Sequence, residues 1–167
     1  MAMKHQQLKK TIIRIFQNFG LSLTHAKIST EALINAELVG AYGHGLSRLK
    51  MYCERISKKV INPKPKIKIK KISQSISHID ANNSIGFVAA DLGIKTAIKH
   101  AQKTGIGMVA VKNSGHYGLS GYYAEQAVKK NLIAMIYTNA PPAVAPHGAL
   151  KSLFGTNPVC FGTPTGT

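Results

Sequence analysis

Leu8, Ile12, Ile15, Phe16 and Phe19 recur at the three-and-four spacing of a helix with one apolar face, and Gly20 can end that helix. Thr24 is placed to cap a second helix, whose stripe is Ile28, Ala32, Asn35, Ala36 and Val39. Gly43 interrupts the pattern, and a third helix is predicted from about His44 to Ser57. Two prolines in Asn62–Pro65 close this helical part. The period then falls to two. Lys64, Lys66, Lys68 and Lys70 alternate with Pro65, Ile67 and Ile69, which predicts a strand near 66–72 with one apolar face and one lysine face. A second strand is expected at 76–80, with a turn at 81–84.

Helical spacing returns from Gly86 to Lys103, with Phe87, Ala90, Ile94, Ala97, Ile98 and Ala101 on one face. Met108–Val111 reads as a short strand, and 119–130 as a helix. Leu132–Tyr137 is unbroken apolar sequence, expected of a strand buried on both faces. A last strand is expected near Val159–Phe161. Helices followed by alternating helices and strands define an α/β chain. We divide it into an N-terminal helical segment, 1–65, and an α/β segment, 66–167, expected to be an incomplete cofactor-binding domain. The ending Thr165-Gly166-Thr167 offers no capped helix, charged tail or closing strand, so we expect a fold truncated in mid-course.

Composition adds one surprise. The 167 residues carry a net charge of +16, with only six acidic residues. A basic surface is the footprint of nucleic-acid binding. No aromatic residue is interleaved with the lysine run to stack on bases, so nucleic acid is not the expected partner. Lysines on an exposed strand also guard against edge-to-edge pairing. No apolar run reaches the ~18 residues of a membrane span, and Met1–Gly20 is too amphipathic for a secretory signal. A cytoplasmic protein is expected. Cys53 and Cys160 form no CxxC pair, so two reduced thiols and no metal site are expected.

Four places could carry chemistry. On a continuous helix, His44, Arg48 and Tyr52 would lie within about 80° of one another, with Arg55 on the same face. That set suits a small anion, because the planar fork of Arg matches a carboxylate. A polar surface helix is the competing reading. The second place is Asn113-Ser114-Gly115-His116-Tyr117-Gly118, where a predicted strand delivers a glycine-flanked His116 to the edge of the sheet. Ligands of α/β sheets bind there, and a histidine there can act as acid or base. The third is Thr138-Asn139-Ala140-Pro141, and the fourth Gly155-Thr156-Asn157-Pro158. Gly105-Ile106-Gly107-Met108-Val109-Ala110 fits the dinucleotide fingerprint by spacing. It follows a helix and enters a strand, the reverse of what phosphate binding at a helix N-terminus needs, so it reads as a turn.

In order, these pieces resemble the malate/L-lactate/ureidoglycolate dehydrogenase family. The matching segments are Gly43-His44-Gly45-Leu46-Ser47-Arg48-Leu49 with Tyr52, the His116 loop, Thr138–Pro141, Val144-Ala145-Pro146 and Gly155–Pro158. Each is short, and their order and spacing carry the resemblance. It implies a non-Rossmann fold and hydride transfer between NAD or NADP and a small 2-hydroxy or 2-oxo acid. It implies that His116 is the acid/base, acting with Arg48 and His44. Arg48, Tyr52 and Asn139 would bind substrate, and Ser120, Thr156 and Asn157 the cofactor. Many relatives carry Ser where Gly43 stands. Family members are also longer, with an Asp-Met-Ala-Thr-Ser-like cofactor segment beyond the point where this chain stops. The expectation is therefore an oxidoreductase with impaired activity by itself, active as a homodimer or with a complementing C-terminal half. The alternatives are an inactive remnant and a basic nucleic-acid-binding module.

Overall fold

The computed structural model describes residues 5–166; Met1–Lys4 of the amphipathic N-terminal segment, and Thr167, lie outside them. The first helix, α1 (His5–Asn18), buries Ile12 and Phe16. It closes as expected, with Gly20 at φ 95° and the Leu21 amide donating to the Phe16 carbonyl. Helix α2 (Leu23–Leu38) is capped by Ser22, whose hydroxyl accepts from the His25 amide at 3.2 Å, and not by Thr24. Thr24 is already inside the helix, where its hydroxyl cannot serve as the cap. The buried face of α2 is wide (Ala26, Ser29, Thr30, Ala32, Leu33, Ile34 and Ala36); Ile28 and Asn35 of the expected stripe are only half-buried, and Val39 is exposed. A central helix packed on several sides has no single stripe to read.

The third helix begins later than its sequence suggests. Residues 42–48 form two 3-10 turns, Tyr42–His44 and Leu46–Arg48, and α3 covers Leu49–Ser57. Gly45, at φ −94° and ψ −140°, separates the turns in a conformation outside the helical region. His44 and Arg48 therefore do not share an α-helical face with Tyr52.

Strand β1 (Lys68–Lys71) pairs antiparallel with β2 (Ile76–Ser84), and β2 pairs parallel with β3 (Met108–Ser114). The crossover between the parallel strands is α4 (Gly86–Thr104). The order β1-β2-β3 makes β1 an edge strand, and all four of its residues are exposed, Ile69 by 51%. The apolar face of this stretch meets the core only through Ile67, just before β1. The segment read as a turn at 81–84 continues β2, with Asn82 and Asn83 at positive φ and a register shift between Asp80 and Ser84. Gly105 at φ 82° ends α4, and a Cβ at Gly107 would run into the Ala97 carbonyl. The rejected dinucleotide match is thus the C-terminal cap of α4.

Helix α5 (Ser120–Val128) leads to β4 (Ala134–Tyr137), which pairs antiparallel with β5 (Val159–Gly162) in a separate two-stranded sheet. Ala134, Ile136 and Cys160 pack with Ala124 and Ala127 of α5. The other face is open, with Met135, Tyr137, Val159 and Phe161 between 58% and 63% exposed. β4 is thus covered on one face only, against the expectation from its unbroken apolar sequence. The larger core joins α1, α2 and α3 to Ile85, Phe87 and Val88 at the start of α4, so packing runs across residue 65. Cys53 is buried, Cys160 half-buried, and both are free thiols.

Candidate functional site

Two segments meet at the site: the 3-10 turns that lead into α3, and the loop between β3 and α5. The first is clamped from α2. The Glu37 carboxylate accepts the Leu46 amide at 2.6 Å, and a Cβ on Gly45 would run into that carboxylate. The Ser47 hydroxyl donates to the Tyr42 carbonyl, and Arg48 Nε donates to the Gly43 carbonyl at 2.8 Å. With Nε committed, the exposed guanidinium keeps its two terminal amino groups for a ligand. Glu37 lacks any sequence signal beyond being one of six acids, and the spacing argument missed it. Glu37→Ala should remove the clamp and leave the Leu46 amide unpaired. The expected loss is about 1–2 kcal/mol, checked by urea unfolding, with broadening of the His44 ring signals in NMR spectra.

The second segment depends on two glycines. A Cβ on Gly86, the first residue of α4, would run into the carbonyl oxygens of Gly115 and His116. Gly118, at φ 80°, lies against the Phe87 ring with no room for a side chain. The His116 loop can therefore settle onto the start of α4 and reach the first segment.

There the His44 and His116 rings stack, 5.6 Å between centroids and 9° between planes. The Tyr52 hydroxyl is 2.6 Å from His116 Nδ1, and the Gly118 amide donates to the same nitrogen at 3.3 Å. Tyr52 is fully buried, its ring 4.7 Å from that of Phe87, with Ile56 in the same core. Starting α3 at Leu49 turns this tyrosine inward and leaves only its hydroxyl at the site. His44 Nδ1 is buried without a hydrogen-bond partner among the described residues. Burial holds the Tyr52 hydroxyl well above the usual tyrosine range, although Arg48 and Arg55 pull the other way. Burial, and then His44, Arg48 and Arg55, push His116 down to about 4.

That depression has a consequence for stability. Between its ordinary value near 6.5 and about 4, the unfolded chain binds a proton at His116 that the folded chain does not. Stability is therefore full above pH 6.5 and is lost as pH falls through that window. The loss should reach about 2–3 kcal/mol at pH 4, after allowance for the ring's partial exposure. His116→Gln should flatten the urea-unfolding free energy over the same range, and an unchanged slope would mean that the ring titrates normally.

The remaining candidates form a different group. The Asn157 side-chain oxygen accepts the Ala140 amide at 2.9 Å, tying together the segments after β4 and before β5. Tyr137, Thr138, Asn139, Asn157, Pro158 and Val159 line an open groove there. Thr156 adjoins Asn157 in the chain, and Ser120, the first residue of α5, bonds through its hydroxyl to Tyr117 at 3.0 Å. Among the described residues, no hydrogen bond or ring contact links Asn139, Thr156 or Asn157 to the His44–Arg48–Tyr52–His116 cluster. The described residues hold no group of three or more His, Cys, Asp or Glu placed to bind a metal, and no helix long and apolar enough to cross a membrane.

The chain as a whole has relatives in sequence and in fold. The family described as malate/L-lactate dehydrogenase matches residues 3–167. The chain is 38% identical over 161 residues to the L-sulfolactate dehydrogenase of Methanocaldococcus jannaschii, covering 96% of this chain and 47% of that protein. It is 33% identical over 160 residues to the ureidoglycolate dehydrogenase (NAD(+)) of Escherichia coli O157:H7, covering 93% and 46%. The structure of malate dehydrogenase from Pyrococcus horikoshii OT3 superimposes with a TM-score of 0.94 at 36% identity, over all of this chain and 48% of that one. The chain thus spans about half the length of the relatives it matches.

Proposed function

This chain belongs to the malate/L-lactate dehydrogenase family, and from that premise we propose that it provides the substrate half-site of an NAD- or NADP-dependent 2-hydroxyacid oxidoreductase. The observation that carries the reading is the convergence of Arg48, His44 and His116 from two distant segments onto one small polar cluster. Arg48 would hold the carboxylate of a malate-, lactate- or ureidoglycolate-type acid through its free amino groups. His116 would exchange a proton with the substrate oxygen at Nε2, since Nδ1 is already engaged. His44, with its buried and unpartnered Nδ1, and Tyr52 would complete the wall.

The β4–β5 groove fits a flat carboxamide-bearing ring. Tyr137, Pro158 and Val159 offer apolar walls, and the Asn139 and Asn157 amides offer donors. A nicotinamide bound there would supply the hydride. Thr156 and Ser120 would contribute hydroxyls on the cofactor side. We keep the division into a substrate-side segment, 1–65, and a cofactor-side segment, 66–167. The open apolar face of β4–β5 supports a homodimer or a complementing C-terminal half, with activity reduced without it. A cytoplasmic location stays part of the proposal.

The test is fluorescence titration of the purified chain with NADH and NADPH, with oxamate as a 2-oxo acid mimic. Saturable binding that Arg48→Ala weakens is the expected result. A folded chain that binds neither the nucleotide nor the mimic would overturn the reading.

A further inference from the structure

Among the described residues, His116 Nδ1 has two hydrogen-bonding neighbours of different kinds. The Gly118 amide can only donate, so its approach at 3.3 Å requires a lone pair on Nδ1. The Tyr52 hydroxyl, at 2.6 Å, can donate or accept. A neutral imidazole has one protonated nitrogen and one acceptor. With the Gly118 amide donating, the acceptor is Nδ1, the Tyr52 hydroxyl donates to it as well, and the proton lies on Nε2.

We infer that Tyr52 is a positioning residue for His116, donating to Nδ1 while that nitrogen carries its lone pair and accepting from Nδ1 once that nitrogen is protonated. This rests on the proposed function for its catalytic meaning, but not for its structural content. Arg48 offers a ligand its amino groups from an exposed side chain, whereas Tyr52 is fully buried and its hydroxyl bonds to His116. The hydroxyl is the one group at Nδ1 able to serve both protonation states. In carbonyl reduction a bound reduced nicotinamide would supply hydride to the substrate carbon, and the Nε2 proton of the imidazolium would pass to the substrate oxygen. The ring is left neutral with its proton on Nδ1, and the Tyr52 oxygen accepts it. The reverse reaction starts from that tautomer, with a lone pair on Nε2 facing the hydroxyl. Gly118 alone would oppose both of those states. Burial, and after it the charges of His44, Arg48 and Arg55, lower the proton affinity of His116.

The experiment is nitrogen-15 NMR of the full chain with labelled histidine, the His116 signals being identified by their loss in His116→Gln. In the free protein above pH 6.5, Nε2 should show the protonated and Nδ1 the unprotonated signature. Tyr52→Phe keeps the ring that packs on Phe87, and should draw the two signals toward each other as the preference relaxes. Turnover should fall by at least ~10-fold in kcat, a larger factor than any loss of oxalate affinity. The inference is overturned if the parent chain carries its proton on Nδ1. It also fails if Tyr52→Phe leaves the signals unmoved, or weakens oxalate tenfold with the tautomer unchanged, which would make Tyr52 a ligand contact. Because the tautomer is read without substrate or cofactor, failure of the dehydrogenase reading leaves this result interpretable.

Discussion

Replacing His116 by glutamine is expected to slow NADH- or NADPH-dependent reduction of a 2-oxo acid by about 10²–10⁴-fold, the usual contribution of a positioned acid or base. Glutamine keeps a hydrogen-bond donor of similar size but has no proton to exchange. Ligand binding should persist, because Arg48 is fixed separately through its bond to the Gly43 carbonyl. The pH dependence should carry the same mark. A ring held at about 4 in the free protein is largely neutral near pH 7. A bound carboxylate beside Arg48 would offset part of the positive charge and raise the proton affinity of His116. The rate of reduction at saturating substrate should therefore fall with rising pH at a higher midpoint than the free ring's. Equal pH profiles for His116→Gln and the parent chain would show that another group moves the proton.

Replacing Arg48 should show in binding first. Arg48→Ala is expected to weaken oxalate or oxamate by about 1.5–3 kcal/mol, roughly 10–100-fold, the range for hydrogen bonds to a charged group. Arg48→Lys tests geometry apart from charge. Lysine has no Nε to anchor on the Gly43 carbonyl and no fork to match two carboxylate oxygens. It should recover only a minor part of the affinity. Full recovery would mean that positive charge, and not the fork, is what the site uses. Isothermal titration of oxalate into the three proteins reads both comparisons directly.

Much of this organisation is legible in the chain. Alternating lysines marked a strand with a lysine face, and the short apolar run before the glycine-flanked His116 marked strand β3 and the loop that follows it. The order of five short motifs pointed to the family, because a series of spacings is far less degenerate than any one of them. Periodicity was less informative where burial did not follow one face. Helix α2 has a wide buried face that includes Ser29 and Thr30, and the unbroken apolar run into β4 has a covered and an open face. Hydrophobicity records what a segment can bury and says nothing of whether the partner surface is present.

Sequence by itself supplied the members of the candidate site: a histidine, an arginine and a tyrosine near residue 50, and a second histidine at 116. Their mutual geometry was decided by tertiary contacts. Helical spacing placed His44, Arg48 and Tyr52 on one face, but the Glu37 clamp and Gly45 divide that stretch into two 3-10 turns before α3 begins. Tyr52 thereby turns into the core, and its hydroxyl meets a loop 64 residues away in the chain. The side-chain-free space at Gly86 lets that loop approach. Local periodicity cannot encode such a contact, because it depends on a carboxylate from one helix and an empty volume at the start of another.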